Sequence, residues 1–163
     1  AQAYEQMSDA VSRILEHTNP LCPLLIETPA GQGSEMLKNK DDFITFIQQF
    51  SEQDRIGACV DTCHVFAAGH DIKKKGGMTE TLDLLVQIAG IERFQLVHAN
   101  DSMDVCGALK DRHQNIGDGH IGVDPFKELL MHPAVTNAPL ILETPGEEPE
   151  HGKEVALLKK LRG

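Results

Sequence analysis

Ile56-Gly57-Ala58-Cys59-Val60-Asp61 is the stretch that decides the fold: small and apolar residues run unbroken into one carboxylate, and Thr62-Cys63-His64 follow at once. So short an apolar run, with no polar residue alternating through it, predicts a strand covered on both faces, as in a parallel sheet. Three other stretches share the design: Pro23 to Glu27 (PLLIE), Phe94 to His98 (FQLVH) and Pro139 to Glu143 (PLILE). Between and around them lie segments with helical spacing or composition. These run from about Ala3 to His17 (apolar at Met7, Val11, Ile14 and Leu15), Asp41 to Phe50, Thr79 to Ala89, Pro125 to Met131, and His151 to Leu161. One helix followed by four βα units predicts an α/β fold, a parallel sheet under helices. Four strands are half of the eight in a (β/α) barrel, whose active-site face is formed by the strands' C-terminal ends. All four end in a residue able to bind metal: Glu27, Asp61, His98 and Glu143.

The chain has 163 residues, 40% hydrophobic and 25% charged, which suits one globular unit spanning 1–163. No apolar run approaches the roughly 18 residues of a membrane span, so no membrane partner is expected. With no Trp, one Tyr and six Phe, a single-strand binder that stacks bases on aromatic platforms is not expected. The net charge of −10 runs against the basic stripe of most phosphate binders. Bound divalent cations would reverse that balance locally, where a substrate would sit. Cys22, Cys59, Cys63 and Cys106 show no CxxC spacing. They predict reduced thiols in an intracellular protein, cytoplasmic, or nuclear or mitochondrial in a eukaryote. Ala1 stands first and inside a helical pattern, so a preceding portion is expected to be absent from the chain.

Two loops add metal-capable residues. Asp61 and His64 sit three apart across a strand-to-loop turn, and Asp111 and His113 sit two apart, so an extended backbone points both the same way. With Glu27, His98 and Glu143 they place seven oxygen or nitrogen donors on one rim. Singly, a strand-end acid caps a helix or pairs with Arg, and a lone His fills a core. Repetition across four strands and two loops favours metal. Carboxylates and imidazoles suit zinc, manganese or iron, and seven donors exceed one tetrahedral zinc's needs. A cluster of metals serves phosphoryl chemistry.

Five blocks carry a specific resemblance: Ile26-Glu27-Thr28-Pro29-Ala30-Gly31-Gln32-Gly33-Ser34, Asp61 through Asp71 (DTCHVFAAGHD), His98-Ala99-Asn100-Asp101-Ser102, Asp111 through Gly122 (DRHQNIGDGHIG), and Leu142-Glu143-Thr144-Pro145. In order and spacing the chain resembles the endonuclease IV family of apurinic/apyrimidinic endonucleases across nearly its whole length. The resemblance implies the C-terminal half, four βα units, of a (β/α)8 TIM-type barrel that holds three zinc ions, with manganese as a substitute. It implies that Glu27 bridges the first and second metals, that Asp61, His98 and Glu143 complete the second site, and that His64, Asp111 and His113 form the third. Two first-site histidines belong to earlier strands, so two complete sites are expected here. His70 stands where many members have Tyr, and Ala99 where Leu is common; neither is a ligand position.

The activity implied is hydrolysis of the phosphodiester 5′ to an abasic site in double-stranded DNA, in base excision repair. Glu27 and Glu143 are the candidate catalytic carboxylates, Glu143 also orienting or deprotonating the attacking water. Asn100 and Asp101 are expected to hold His98. Gly31-Gln32-Gly33 lacks phosphate-loop spacing and predicts a tight turn, with Gln32 lining the site by resemblance. Lys73 to Lys75 form either a solvated loop or a phosphate contact. Gly117-Asp118-Gly119 shapes the loop after the third site, and His17, His132 and His151 are expected at the surface. Two rivals stand beside this assignment: a divalent-metal sugar isomerase or epimerase of the xylose-isomerase-like barrels, and a non-catalytic metal-binding half-barrel. A lone half-barrel is also expected to self-associate or to need its N-terminal half, because its strand edges are open.

Overall fold

A computed structural model describes residues 2–163. Four parallel strands form one sheet in the order β1 (Leu24–Glu27), β2 (Ile56–Asp61), β3 (Phe94–His98), β6 (Leu140–Ile141). Each is followed by a helix: α2 (Lys40–Gln48), α4 (Gly77–Ala89), α5 (Asp124–Met131) and α6 (Glu148–Arg162), while α1 (Gln2–His17) precedes the sheet. The four βα units are a partial barrel, as the strand pattern predicts.

Ile56, Ala58 and Val60 of β2 belong to the core shared with Phe46, Ile47, Leu82, Phe126 and Leu129 of the helices. Their neighbours Gly57, Cys59 and Asp61 take the opposite face, since strand side chains alternate. A Cβ on Gly57 would lie 2.7 Å from Leu25 and 3.0 Å from Gln95, so this face is crowded and keeps a glycine. In β3 the pairing jumps from Ala58↔Phe94 to Cys59↔Leu96, leaving Gln95 as an extra residue, a β-bulge. Phe94 and Val97 therefore both enter the core, while Leu96 and His98 share the face of Cys59 and Asp61.

Three features differ from the sequence expectations. Residues after Asp61 form a helix, α3 (Thr62–Ala67), rather than a loop, because the Asp61 side chain caps its N-terminus by accepting from the His64 N–H at 2.9 Å. The segment between β3 and α5, for which no strand is expected from the sequence, contains a two-stranded antiparallel ladder, β4 (Asp101–Ser102) with β5 (His113–Gln114). The last strand is shorter than predicted, and Glu143 lies two residues beyond Ile141. Asn100 makes good that gap by accepting from the Glu143 N–H at 2.8 Å.

Candidate metal centre

All seven candidate donors gather at the C-terminal rim of the sheet, in two groups. Glu27, Asp61, His98 and Glu143 offer donor atoms within 4.8 Å of one another. His98 Nδ1 lies 2.8 Å from Glu27 Oε1, 3.1 Å from Glu143 Oε2 and 3.8 Å from Asp61 Oδ2. In the second group His64 Nε2 and His113 Nε2 are 3.4 Å apart, and each lies 3.2 Å from Asp111 Oδ1. Asp61 Oδ2 stands between the groups, 3.6 Å from His113 Nε2. Asp111 and His113 do come together, as their spacing suggests, at 3.2 Å.

The second group presents a close triangle of donors that could hold a cation. His64 Nδ1 lies 2.9 Å from the Thr28 carbonyl and His113 Nδ1 3.2 Å from the Glu143 carbonyl. A carbonyl only accepts, so both Nδ1 atoms carry hydrogen and donate. Each neutral ring then aims an Nε2 lone pair at the other ring and at a carboxylate oxygen, an arrangement that repels unless a proton or a metal ion sits among them. Donors around a zinc bound at about 2.0–2.1 Å lie about 3.3–3.4 Å apart, which matches this triangle.

Burial pushes the Asp61 carboxyl above the usual carboxylate range, and His64, His113 and Asn100 only partly offset it. Burial pulls His64 down, but Asp61, Asp111, the Thr28 carbonyl and Glu27 outweigh it, and His64 ends above the ordinary imidazole value. Asp61 and His64 thus hold their protons more tightly than the free side chains do. Cys59 and Cys63, one on each side of Asp61, also lie within reach of donor groups. Burial, joined by the carboxylates of Glu27 and Asp61, raises Cys59 to about 12, and burial raises Cys63 to about 11. Ligation requires the thiolate, so the oxygen and nitrogen donors are favoured.

The supporting polar residues partly depart from expectation. Asn100 holds not His98 but Asp61, donating to Oδ2 at 2.7 Å, and it also fixes the Glu143 backbone. Asp101 holds neither; it faces the 117–122 backbone. Gln32 Oε1 accepts from the Asp111 N–H at 3.1 Å, while the N–H groups of Gly31 and Gln32 turn inward to Glu35, which confirms a tight turn. Lys73 to Lys75 are exposed, and Lys74 pairs with Glu80 at 2.7 Å. His17 is exposed as expected, but His132 is buried against Asp83 and His151 is half-buried against the Thr144 carbonyl. Sequence reasoning missed Glu154 altogether. This buried carboxylate of α6 accepts from the Ile116 N–H, Asn115 and the Thr144 hydroxyl. Its only sequence signal was a charge inside a helical apolar pattern.

The family described as xylose isomerase-like TIM barrel matches residues 1–161. The chain belongs to this family. Within it the chain is 48% identical over 162 residues to the probable endonuclease 4 of Streptomyces coelicolor, covering 94% of this chain and 55% of that protein. The probable endonuclease 4 of Streptomyces avermitilis is likewise 48% identical, over 166 residues, covering 96% and 54%. Endonuclease IV from Thermus thermophilus superposes with a TM-score of 0.84 at 26% identity, over 97% of this chain and 57% of that one. The resemblance to endonuclease IV is therefore borne out, and the chain spans about half the length of the curated relatives it matches. The four cysteines are free, and among the described residues no helix is long and apolar enough to cross a membrane.

Proposed function

We propose that this chain carries most of the metal-binding rim of a zinc-dependent DNA-repair endonuclease that hydrolyses the phosphodiester 5′ to abasic sites in duplex DNA. The supporting observation is the pair of Nε2 lone pairs facing the Asp111 carboxylate 3.2 Å away. Glu27, Asp61, His98 and Glu143 would hold one ion, and His64, Asp111 and His113 another. Divalent cations held there supply positive charge to a phosphoryl transition state and acidify water. The protein's own part is to fix the donors. The Thr28 and Glu143 carbonyls set the His64 and His113 tautomers, and Asn100 orients Asp61. Glu27 and Glu143 remain open on the rim, with side chains 39% and 43% exposed, so both can face substrate. Glu143 would orient an attacking water and take its proton. The acidic rim is compatible with a polyanionic substrate only when cations fill it, which links DNA binding to metal loading.

The test is a labelled duplex bearing one stable abasic-site analogue, incubated with zinc and then with chelator. The chain alone should not nick it, because only Glu27 is available here for the first of the three implied ions. Joined to the N-terminal portion of the Streptomyces coelicolor relative, it should nick 5′ to the lesion and stop when chelated. Absence of nicking by the joined protein sinks the repair assignment and promotes the sugar-isomerase rival. Zinc-dependent nicking by the chain alone would show that the first position is dispensable or rebuilt by a second copy.

A further inference from the structure

Asp101 is fully buried and no metal donor touches it, yet its carboxylate accepts five backbone N–H groups. Oδ1 takes Ser102 at 2.7 Å and Ile121 at 2.8 Å, and Oδ2 takes Gly117 at 3.0 Å, Gly119 at 3.2 Å and Gly122 at 3.1 Å. Four of these five belong to one loop, 117–122, which follows closely on β5. The loop is shaped to reach the carboxylate. Gly117 and Gly122 have φ of +95° and +80°, and a Cβ on Gly119 would collide with the Asp101 carboxylate and the Ser102 carbonyl. The Ser102 carbonyl also accepts from the His120 N–H at 2.8 Å. His113 itself belongs to β5, a strand only two residues long that pairs with Asp101 and Ser102. So short a ladder does not hold itself in register; the loop behind it must be fixed.

We propose that Asp101 is a positioning residue for the His64–Asp111–His113 group: by tying the 117–122 backbone to β4 it seats β5, and thereby aims His113 Nε2 at Asp111 and His64. The inference rests on those three residues holding a metal ion. An amide at this position keeps one acceptor oxygen and turns an NH2 toward the backbone donors of the other oxygen, so Asp101→Asn breaks one side of the clamp at almost unchanged volume.

The experiment is zinc stoichiometry by competition with a chromogenic chelator, with amide hydrogen exchange on the same samples. D101N should bind one zinc fewer than the unmodified chain. Adding His64→Ala to D101N should remove nothing more, while adding His98→Ala should remove the remainder. In the metal-free unmodified chain the amides of Gly117, Gly119, Ile121 and Gly122 should already exchange slowly, and in D101N at least roughly tenfold faster. A full zinc complement in D101N, even with a lowered Tm, overturns the proposal, because a purely structural carboxylate predicts that outcome. Fast exchange of those amides in the metal-free unmodified chain overturns it too, and decides the matter even if D101N fails to fold. An unmodified chain that binds no zinc while its loop amides are protected removes the metal assignment instead, which keeps the two failures apart.

Discussion

Asn100 shows how much one buried amide carries at this rim. It donates to Asp61, accepts from the Glu143 backbone, and its own N–H donates to the buried Thr62 hydroxyl. Asn100→Ala strips the Asp61 carboxyl of its amide partner and frees the segment bearing Glu143. We expect a loss of about 1–3 kcal/mol in urea unfolding and a fall of about 10–100-fold in zinc affinity; unchanged affinity would show that Asn100 does not orient the donors. His64 supplies a pH test. Its imidazole sits above the ordinary value of 6.5 in the metal-free fold, because Asp61, Asp111 and Glu27 outweigh burial. The folded chain therefore holds this proton more tightly than the unfolded chain, and stability falls as pH rises through that window. The stabilisation is fully present below 6.5 and lost as pH passes the raised folded value. The stability gap between the chelated chain and His64→Ala should accordingly narrow as pH rises from below 6.5 past the raised folded value; a gap that widens contradicts the assigned charge.

At the level of elements, the bulge at Gln95 decides which way β3 faces. Strand side chains alternate, so Phe94, Leu96 and His98 would share one face of a regular strand. The extra residue lets Phe94 enter the core while His98 stands beside Asp61 on the rim. Deleting Gln95 leaves Phe94, Leu96, Val97 and His98 in regular alternation against the same β2 partners, with Phe94 still on the core face and His98 still beside Asp61. We expect the deletion variant to keep both the ion assigned to Glu27, Asp61, His98 and Glu143 and the one assigned to His64, Asp111 and His113. Zinc stoichiometry with His64→Ala and His98→Ala variants reads this out, and loss of the first ion would mean that the bulge itself positions His98. The β2–α3 junction is economical in another way: Asp61 caps α3 with Oδ1 and faces the metal groups with Oδ2. The cap also sets where His64 falls, one turn into the helix, which the sequence spacing alone left as a turn of unknown shape.

Across the whole molecule the sheet is open. β1 and β6 each have one edge without a strand partner among the described residues, and unpaired edges invite pairing with another chain. Beside β6 a cleft of about 240 Å³ is lined by Leu130, Leu140, Leu142, Val155 and Leu158 together with Lys159 and Arg162, and the strand's Ile141 is exposed. We expect the chain studied alone to self-associate, with a dimer in sedimentation velocity at micromolar concentration that dissociates on joining to the N-terminal portion of a relative. A monodisperse monomer with a cooperative melt would show that the open edges are tolerated.

Four βα units and seven candidate donors at or shortly after the strand ends were legible in the sequence, because each is written in contiguous residues. A short buried run announces a parallel strand, and the residue that closes it inherits the strand's C-terminal end and hence the rim. Glu143 was found this way although its strand stops earlier, since its place depends on the chain's direction rather than on exact strand length. What tertiary structure alone decided lies in contacts between distant segments. The carbonyls that fix the His64 and His113 tautomers come from 36 and 30 residues away. The bulge exists only relative to a neighbouring strand, and the buried carboxylates of Asp101 and Glu154 acquire their roles from loops that fold back onto them. Local pattern can place a donor at an edge, but only packing across the sheet determines which atom it offers and what it faces.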